Sequence, residues 1–381
     1  MSGLRVLITN WDLKDRAGSQ LYVRDVARGL LERGHTPIVY SPVLGAVAQE
    51  LRQATVPVVD DLNAIGVQPD IIHGQQEFET MTALLRFPAV PAVYFCHDWL
   101  MKNTPHFPRI LRYVAVDHTC RDRLVFEHAV PEERIRLLFN FVDLARFKPR
   151  GPLPARPKCA LMFSNYARED GRLNAAREAC ARAGIELDVV GERVGNVCAR
   201  PEEMLPQYDI VFAKGRAALE ALAVGTAVVL CGIERLGPMV TTGEFDRLRP
   251  LNFGSRAMRE PMSAGGFMRE IARYDPADAA EVSRKVRATA GRDAVVDEIV
   301  ALYQEVIAEH GNAGEDDADA EGRAAAAFLR QVQTRSRQMR ATIETFDNST
   351  TMRLQRRLIN IPLLGRPLRA FVHGAAKRSS R

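Results

Sequence analysis

The stretch FAKGRAALEALAVGTAVVLC, residues 212–231, decides how this chain reads. Its first residues end an apolar run, YDIVFA (208–213). AALEALAV follows with the composition of a helix, Gly225 stops it, and TAVVLC resumes as a β-rich run. Strand, helix and strand in so short a span make a buried crossover. Runs that are apolar at every position fit strands covered by helices on both faces. The turn between strand and helix carries Lys214, Gly215 and Arg216, with Glu220 one turn further on.

Cations at a helix N-terminus are disfavoured unless something negative stands between them and the helix dipole. One reading is a bound anion such as a diphosphate, with the two acceptor oxygens of Glu220 facing a vicinal diol such as ribose. The other is a Lys/Arg–Glu ion-pair cluster at i, i+4.

The same alternation extends both ways. LRVLIT, TPIVYS, VPVV, DIIHG, AVYFCHD, YVAVD and IRLLFN punctuate residues 1–145, and CALMFS and ELDVVGE precede the opening stretch. Between the two series, NFVDLARFKPRGPLPARPK (140–158) carries Pro149, Pro152, Pro154 and Pro157 and has no periodicity, which marks a linker. The chain therefore divides into an α/β domain over 1–145, a linker over 146–158 and a second α/β domain over 159–275. Two helices over 276–310 close the second domain. A disordered acidic spacer, GNAGEDDADAEG, spans 311–322, and a helix with a basic amphipathic tail spans 323–381.

Two open sheets facing a cleft place ligands at the carboxyl ends of their strands. Gly18 opens the helix after the first strand, where it either lets an anion reach the backbone or merely precedes an N-cap. No G-x-G-x-x-G occurs. His97, beside Asp98 at a strand end, can donate a hydrogen bond or move a proton, or can be a strand-terminal histidine held by its neighbour. His73 and His118 read as structural. No His/Cys/carboxylate set has metal-ligand spacing, so neither metal nor cofactor is expected.

The net charge of +5 hides two parts. Residues 350–381 hold eight Lys/Arg and no acid, and without them 44 basic residues face 47 acidic ones. A mildly acidic body argues against a nucleic-acid partner. The tail, MRLQRRLINIPLLGRPLRAFV, interleaves arginine with leucine and isoleucine, which suits an anionic membrane surface. The scattered cysteines at 96, 120, 159, 180, 198 and 231 read as buried free thiols in a reducing cytoplasm. No secretory leader or transmembrane run is read, so a cytoplasmic, peripherally membrane-bound protein is expected.

Taken together, AGSQLYVRDVARGLLERGH (17–35), DIIHGQ (70–75), YFCHDW (94–99), NFVDLARFKP (140–149) and KGRAALEALAVGTAVV (214–229) resemble family 4 glycosyltransferases over about residues 4–310. The resemblance implies a GT-B fold: two Rossmann-like parallel-sheet domains facing a central cleft, here with a C-terminal helical and basic extension. It implies metal-independent transfer, with retention, of a sugar from a nucleotide-diphosphate donor to a glycan or lipid-linked acceptor. Gly18 resembles the glycine that meets the donor phosphate, His97 the histidine near the donor sugar, and Glu220 the glutamate that holds ribose hydroxyls. The chain departs from the family at Phe212, where an acid usually engages the sugar, and at Asn165 and Asp170, where an Arg and a Lys usually neutralise the diphosphate. Lys214, Gly215 and Arg216, assisted by Arg168 or Arg172, are expected to take over that charge. A catalytically degenerate module of the same fold that binds a sugar nucleotide or a protein partner, or a nucleotide-sugar epimerase, are the competing readings.

Overall fold

The computed structural model describes residues 3–99, 103–313 and 317–348. The first domain is a seven-stranded parallel sheet of β1 (Arg5–Thr9), β2 (Thr36–Tyr40), β3 (Val58–Val59), β4 (Ile71–Gly74), β5 (Ala92–Cys96), β6 (Ile110–Ala115) and β7 (Ile135–Leu137). Its order is β3-β2-β1-β4-β5-β6-β7, so the chain reverses direction across the sheet between β1 and β4. A ligand crevice forms at such a reversal, outside the strand ends. The crossovers carry α1 (Gly18–Glu32), α2 (Ala46–Gln53), α3 (Glu77–Arg86) and α4 (His118–Phe126). Val23, Val26, Ala27 and Leu30 of α1 bury one stripe against the sheet, as their helical spacing requires.

The second sheet contains β8 (Cys159–Phe163), β9 (Glu186–Val190), β10 (Ile210–Ala213), β11 (Ala227–Cys231), β12 (Arg235–Met239) and β13 (Glu260–Pro261), in the order β13-β12-β11-β10-β8-β9. The opening crossover is here: β10 pairs parallel to β11 through α7. Two strands were not legible in sequence. β12 and β13 run antiparallel along one edge, short and interrupted by glycine and proline. Around this sheet lie α5 (Gly171–Arg182), α6 (Pro201–Met204), α7 (Gly215–Val224), α8 (Thr242–Leu248), α9 (Ala264–Ile271) and α10 (Pro276–Thr289).

The expectation that both closing helices cap the second domain is corrected. The next helix, α11 (Arg292–Asn312), returns to the first domain. Val296, Ile299, Leu302, Tyr303 and Val306 are buried in the core of the first sheet, a burial worth on the order of 10 kcal/mol before entropic costs. Gly29 of α1 permits this approach: a Cβ there would stand 2.9 Å from Val296 Cγ2. The two chain crossings run side by side. The Val142 N–H donates to Ala290 O at 2.8 Å, and the Arg292 N–H donates to Val142 O at 2.9 Å.

The acidic spacer is also shorter than expected. Asp317 caps a long helix, α12 (Ala318–Asp347), by accepting from the Ala320 N–H at 2.9 Å. Ala318–Gly322, assigned to a disordered segment, are therefore helical; alanine and a capping aspartate favour the helix more than the acidic composition opposes it. The basic tail, 350–381, lies outside the described residues. No helix among the described residues is long and apolar enough to cross a membrane. All six cysteines are free thiols, with Cys159 and Cys198 half-buried and the other four buried.

Candidate functional site

The strand ends of both domains face a cleft of about 990 Å³. Gly18, His97, Lys214, Gly215, Arg216 and Glu220 all line it. Arg168 does not: it is exposed, on the turn before α5, and the assignment of donor charge to it is corrected. The physical reason lies in Asp170. Its carboxylate caps α5, accepting from the N–H groups of Arg172 (3.0 Å) and Leu173 (3.3 Å), and it holds the Arg172 guanidinium as well. The N-terminus of α5 is thus sealed by its own acid. That carboxylate already occupies two of the N–H groups an anion would use and places a negative charge there, and Arg172 is already paired.

The N-termini of α1 and α7 differ. Neither has a side-chain cap: Ala17 and Lys214 occupy the N-cap positions. Both helix ends open on the cleft, one from each domain. At Gly18 an added Cβ would meet no atom within 4 Å, so the protein's own packing does not require glycine there. At Gly215 it does. φ is +57°, in the left-handed region, and its N–H donates to Phe253 O at 2.9 Å, which turns the chain sharply into α7.

The two cations at this mouth have different surroundings. Arg216 donates to Glu220 at 2.7 Å within its own helix, and to Asp25 of α1 across the cleft. Asp25 pairs in turn with Arg24 at 2.7 Å, Arg24 with Glu50 at 3.1 Å, and Glu50 with Arg16 at 2.6 Å. Six charges of alternating sign therefore connect α7 to α2, and Asp25, Arg24 and Glu220 are buried. Burial alone would raise the Asp25 pKa, but Arg216 and Arg24 outweigh it and hold the carboxyl below its ordinary range. Burial dominates at Glu220 and raises its pKa, with Arg216 opposing. The ion-pair reading of Arg216 and Glu220 is thus realised. The expectation that Arg216 stands ready for a diphosphate gives way, because two buried carboxylates already engage its guanidinium.

Lys214 is the cation left at the mouth. Its Nζ sits 5.2 Å from the centre of the Tyr166 ring, and Arg193 approaches the same ring at 5.4 Å. Burial lowers the Lys214 pKa, with the Asp98 charge across the cleft working against that shift. A partly desolvated ammonium beside an uncapped helix end gains strongly from an arriving anion.

His97 is half-buried, and its Nε2 is covered without a hydrogen-bond partner. Its ring meets the edge of Tyr22 at 4.3 Å. Burial pushes its pKa down to about 3, so the ring is neutral at physiological pH. Held neutral, it can exchange a hydrogen bond with a ligand. His73 is structural, bonded to Tyr303 and stacked on Phe95 at 3.8 Å. Phe212 lies inside β10, buried edge-on against Phe267 at 5.2 Å. The strand runs through the position where an acid was sought, and an acid there would be buried in the core. Among the described residues no group of three or more His, Cys, Asp or Glu is placed to hold a metal ion.

Asp25, Tyr166, Arg193, Trp11 and Trp99 also belong to this site or its pairing network and were not singled out in the sequence. Only Trp11 and Trp99 carried a signal, as aromatic residues directly after strands one and five.

A sequence model of the family described as Glycosyltransferase Family 4 matches residues 16–146, about a third of the chain. No curated protein sequence matches. Among solved structures, a glycosyltransferase from Rickettsia africae ESF-5 is similar at 15% identity, covering 81% of this chain and 99% of that one, with a TM-score of 0.58. Anabaena Alr3699/HepE in complex with UDP and glucose is similar at 15% identity, 79% and 99% coverage and a TM-score of 0.57. The same protein in complex with UDP-glucose gives 15%, 79% and 100%, and 0.55. At these identities the likeness establishes the architecture, two parallel-sheet domains of the GT-B type; the helix α12 is seen in this chain's own structure.

Proposed function

We propose that this protein is a glycosyltransferase that takes a sugar from a nucleotide-diphosphate donor and passes it, with retention, to a glycan or lipid-linked acceptor. One observation carries the reading. Two uncapped helix N-termini, from opposite domains, open on one cleft beside the partly desolvated Lys214. The family match over the first domain and the UDP-bound neighbours of the same fold support it.

As the glycosidic bond breaks, negative charge accumulates on the leaving diphosphate. The N–H groups opening α1 and those after Gly215 in α7, with Lys214, meet that charge, at several kcal/mol of transition-state stabilisation. Glu220, fixed by Arg216, offers its remaining acceptor capacity to the ribose. His97 supplies a neutral hydrogen bond near the sugar. The departing phosphate oxygen accepts the proton of the attacking hydroxyl on the same face, through an oxocarbenium-like state, so no carboxylate nucleophile is needed.

A second reading has a specific observation behind it. Phe212 is in the core, and Asn165 and Asp170 stand where the family's cations are expected. This favours a module that binds a sugar nucleotide without turnover. A melting-temperature panel of nucleotide sugars tests binding, since a ligand at a hundred times its Kd stabilises by about 2.7 kcal/mol. Slow donor hydrolysis then separates transferase from binding module. Lys214→Ala should weaken donor binding about tenfold, the worth of a charge-assisted contact. Absence of stabilisation by every nucleotide sugar defeats both readings.

The basic segment 350–381 is proposed to hold the enzyme at an anionic membrane surface on the cytoplasmic side, on the strength of its eight cations interleaved with apolar residues.

A further inference from the structure

The chain has two tryptophans, and both are exposed in the same cleft, Trp11 at 55% and Trp99 at 44%. Large aromatic side chains normally bury themselves, and leaving an indole in water forfeits its apolar burial. Trp11 follows β1 and Trp99 follows β5, so both belong to the first domain, opposite Lys214. The loop of Trp11 is held in place: its N–H donates to Gln76 Oε1 at 3.0 Å and to Asn10 Oδ1 at 3.1 Å. Trp99 lies 6.0 Å from the Arg256 guanidinium, which is itself paired with Asp122 at 2.6 Å.

The same wall carries Gln75, 2% exposed, whose Oε1 is buried without a hydrogen-bond partner. A buried amide oxygen left unpaired is costly unless a ligand donor arrives. Flat aromatic surfaces beside neutral amides match a molecule with an apolar face and a hydroxyl rim. A sugar ring has both. A long lipid chain instead needs a continuous aliphatic groove, whereas Trp11 and Trp99 share the lining with Gln75, Gln76 and Thr104.

We propose that the acceptor bound by this first-domain wall is a saccharide, stacked on Trp11 and Trp99 with a hydroxyl donating to Gln75 Oε1. The inference rests on the glycosyltransferase reading of the cleft and narrows its acceptor class to a carbohydrate. Indoles give large rigid contact area at low entropic cost, so stacking sets affinity while the amide sets orientation.

The test uses the full-length protein and its own fluorescence, because both emitters sit in the cleft. Chitobiose, cellobiose, maltose and mannobiose are titrated with UDP present, and farnesyl phosphate serves as the lipid probe. A saturable emission change with at least one saccharide is expected. That response should weaken about tenfold in Trp11→Ala and Trp99→Ala, and less in the Phe variants. Gln75→Leu should lose about tenfold in affinity with only a small change in melting temperature, the amide also lying 3.4 Å from His73 Nε2, whereas a purely structural role would lower the melting temperature and leave affinity unchanged. Response to farnesyl phosphate alone, or to none of the probes, overturns the saccharide assignment. Donor hydrolysis is followed in parallel. Hydrolysis without a saccharide response sinks this inference but spares the proposed activity. A saccharide response without donor binding or hydrolysis overturns the proposed activity and with it the acceptor role, leaving a carbohydrate-binding wall.

Discussion

Asp25 is the residue whose replacement tests the site most directly. It is 2% exposed and lies between two guanidiniums, Arg24 at 2.7 Å and Arg216 from the other domain. Asp25→Asn keeps the shape and removes the charge. Removing one partner of a buried ion pair costs about 3–5 kcal/mol. Here Arg216 keeps Glu220 at 2.7 Å and Arg24 keeps Glu50 at 3.1 Å, so the lower end, about 3 kcal/mol, applies. For a body of about 310 residues unfolding as one unit, at roughly 2.1 cal/mol/K per residue, that corresponds to a melting temperature lowered by roughly 4–5 °C. Calorimetry on wild type, Asp25→Asn, Arg216→Gln and the double variant gives the coupling directly, and at least about 1 kcal/mol is expected. The pH dependence follows from the sign of the shift. The Asp25 carboxyl is held below its ordinary range, so its contribution is complete above about pH 4 and is lost as pH falls through the depressed pKa. The gap between wild type and Asp25→Asn should therefore stay constant from about pH 8 to about pH 5 and close in stronger acid. A variant melting with wild type, or zero coupling in the cycle, would falsify the cross-cleft pairing as a structural element.

His97→Ala should lower transfer at least tenfold by removing a hydrogen-bonding group from the sugar site. Because burial pushes the imidazole down to about 3, the wild-type rate should show no inflection near pH 6.5 that disappears in the variant. Such an inflection would mean that His97 titrates after all. Asp170→Ala should cost about 1 kcal/mol of stability through the lost cap on α5, with denaturant titration as the measure. Its donor affinity should not fall, and a large fall would put the diphosphate at α5 instead of α7. Ending the chain near residue 345 should abolish co-sedimentation with anionic liposomes; equal pelleting of the short and full-length proteins would remove the membrane role of the tail.

Much of the fold was legible because its signals are local. Apolar runs such as LRVLIT and DIIHG are strands in any context that covers both faces, and FAKGRAALEALAVGTAVVLC spells out its crossover residue by residue. The edge strands β12 and β13 were missed because glycine and proline interrupt the first and the second is only two residues long. Helix α11 was recognised as a helix but placed on the wrong domain. Its apolar stripe fits either core, and only Gly29 on α1 leaves room for Val296.

Sequence by itself determined that two Rossmann-like sheets are joined by a proline-rich linker, and that cations and a glutamate gather at the mouth of one buried helix. It could not assign those charges. Arg216 and Lys214 are two residues apart and look equivalent in a string of letters. Asp25, nearly two hundred residues away, makes them different by taking Arg216 into a buried pair and leaving Lys214 at the open helix end. Charge pairing and desolvation depend on distances of a few ångströms across the cleft, and those distances exist only once both domains are folded.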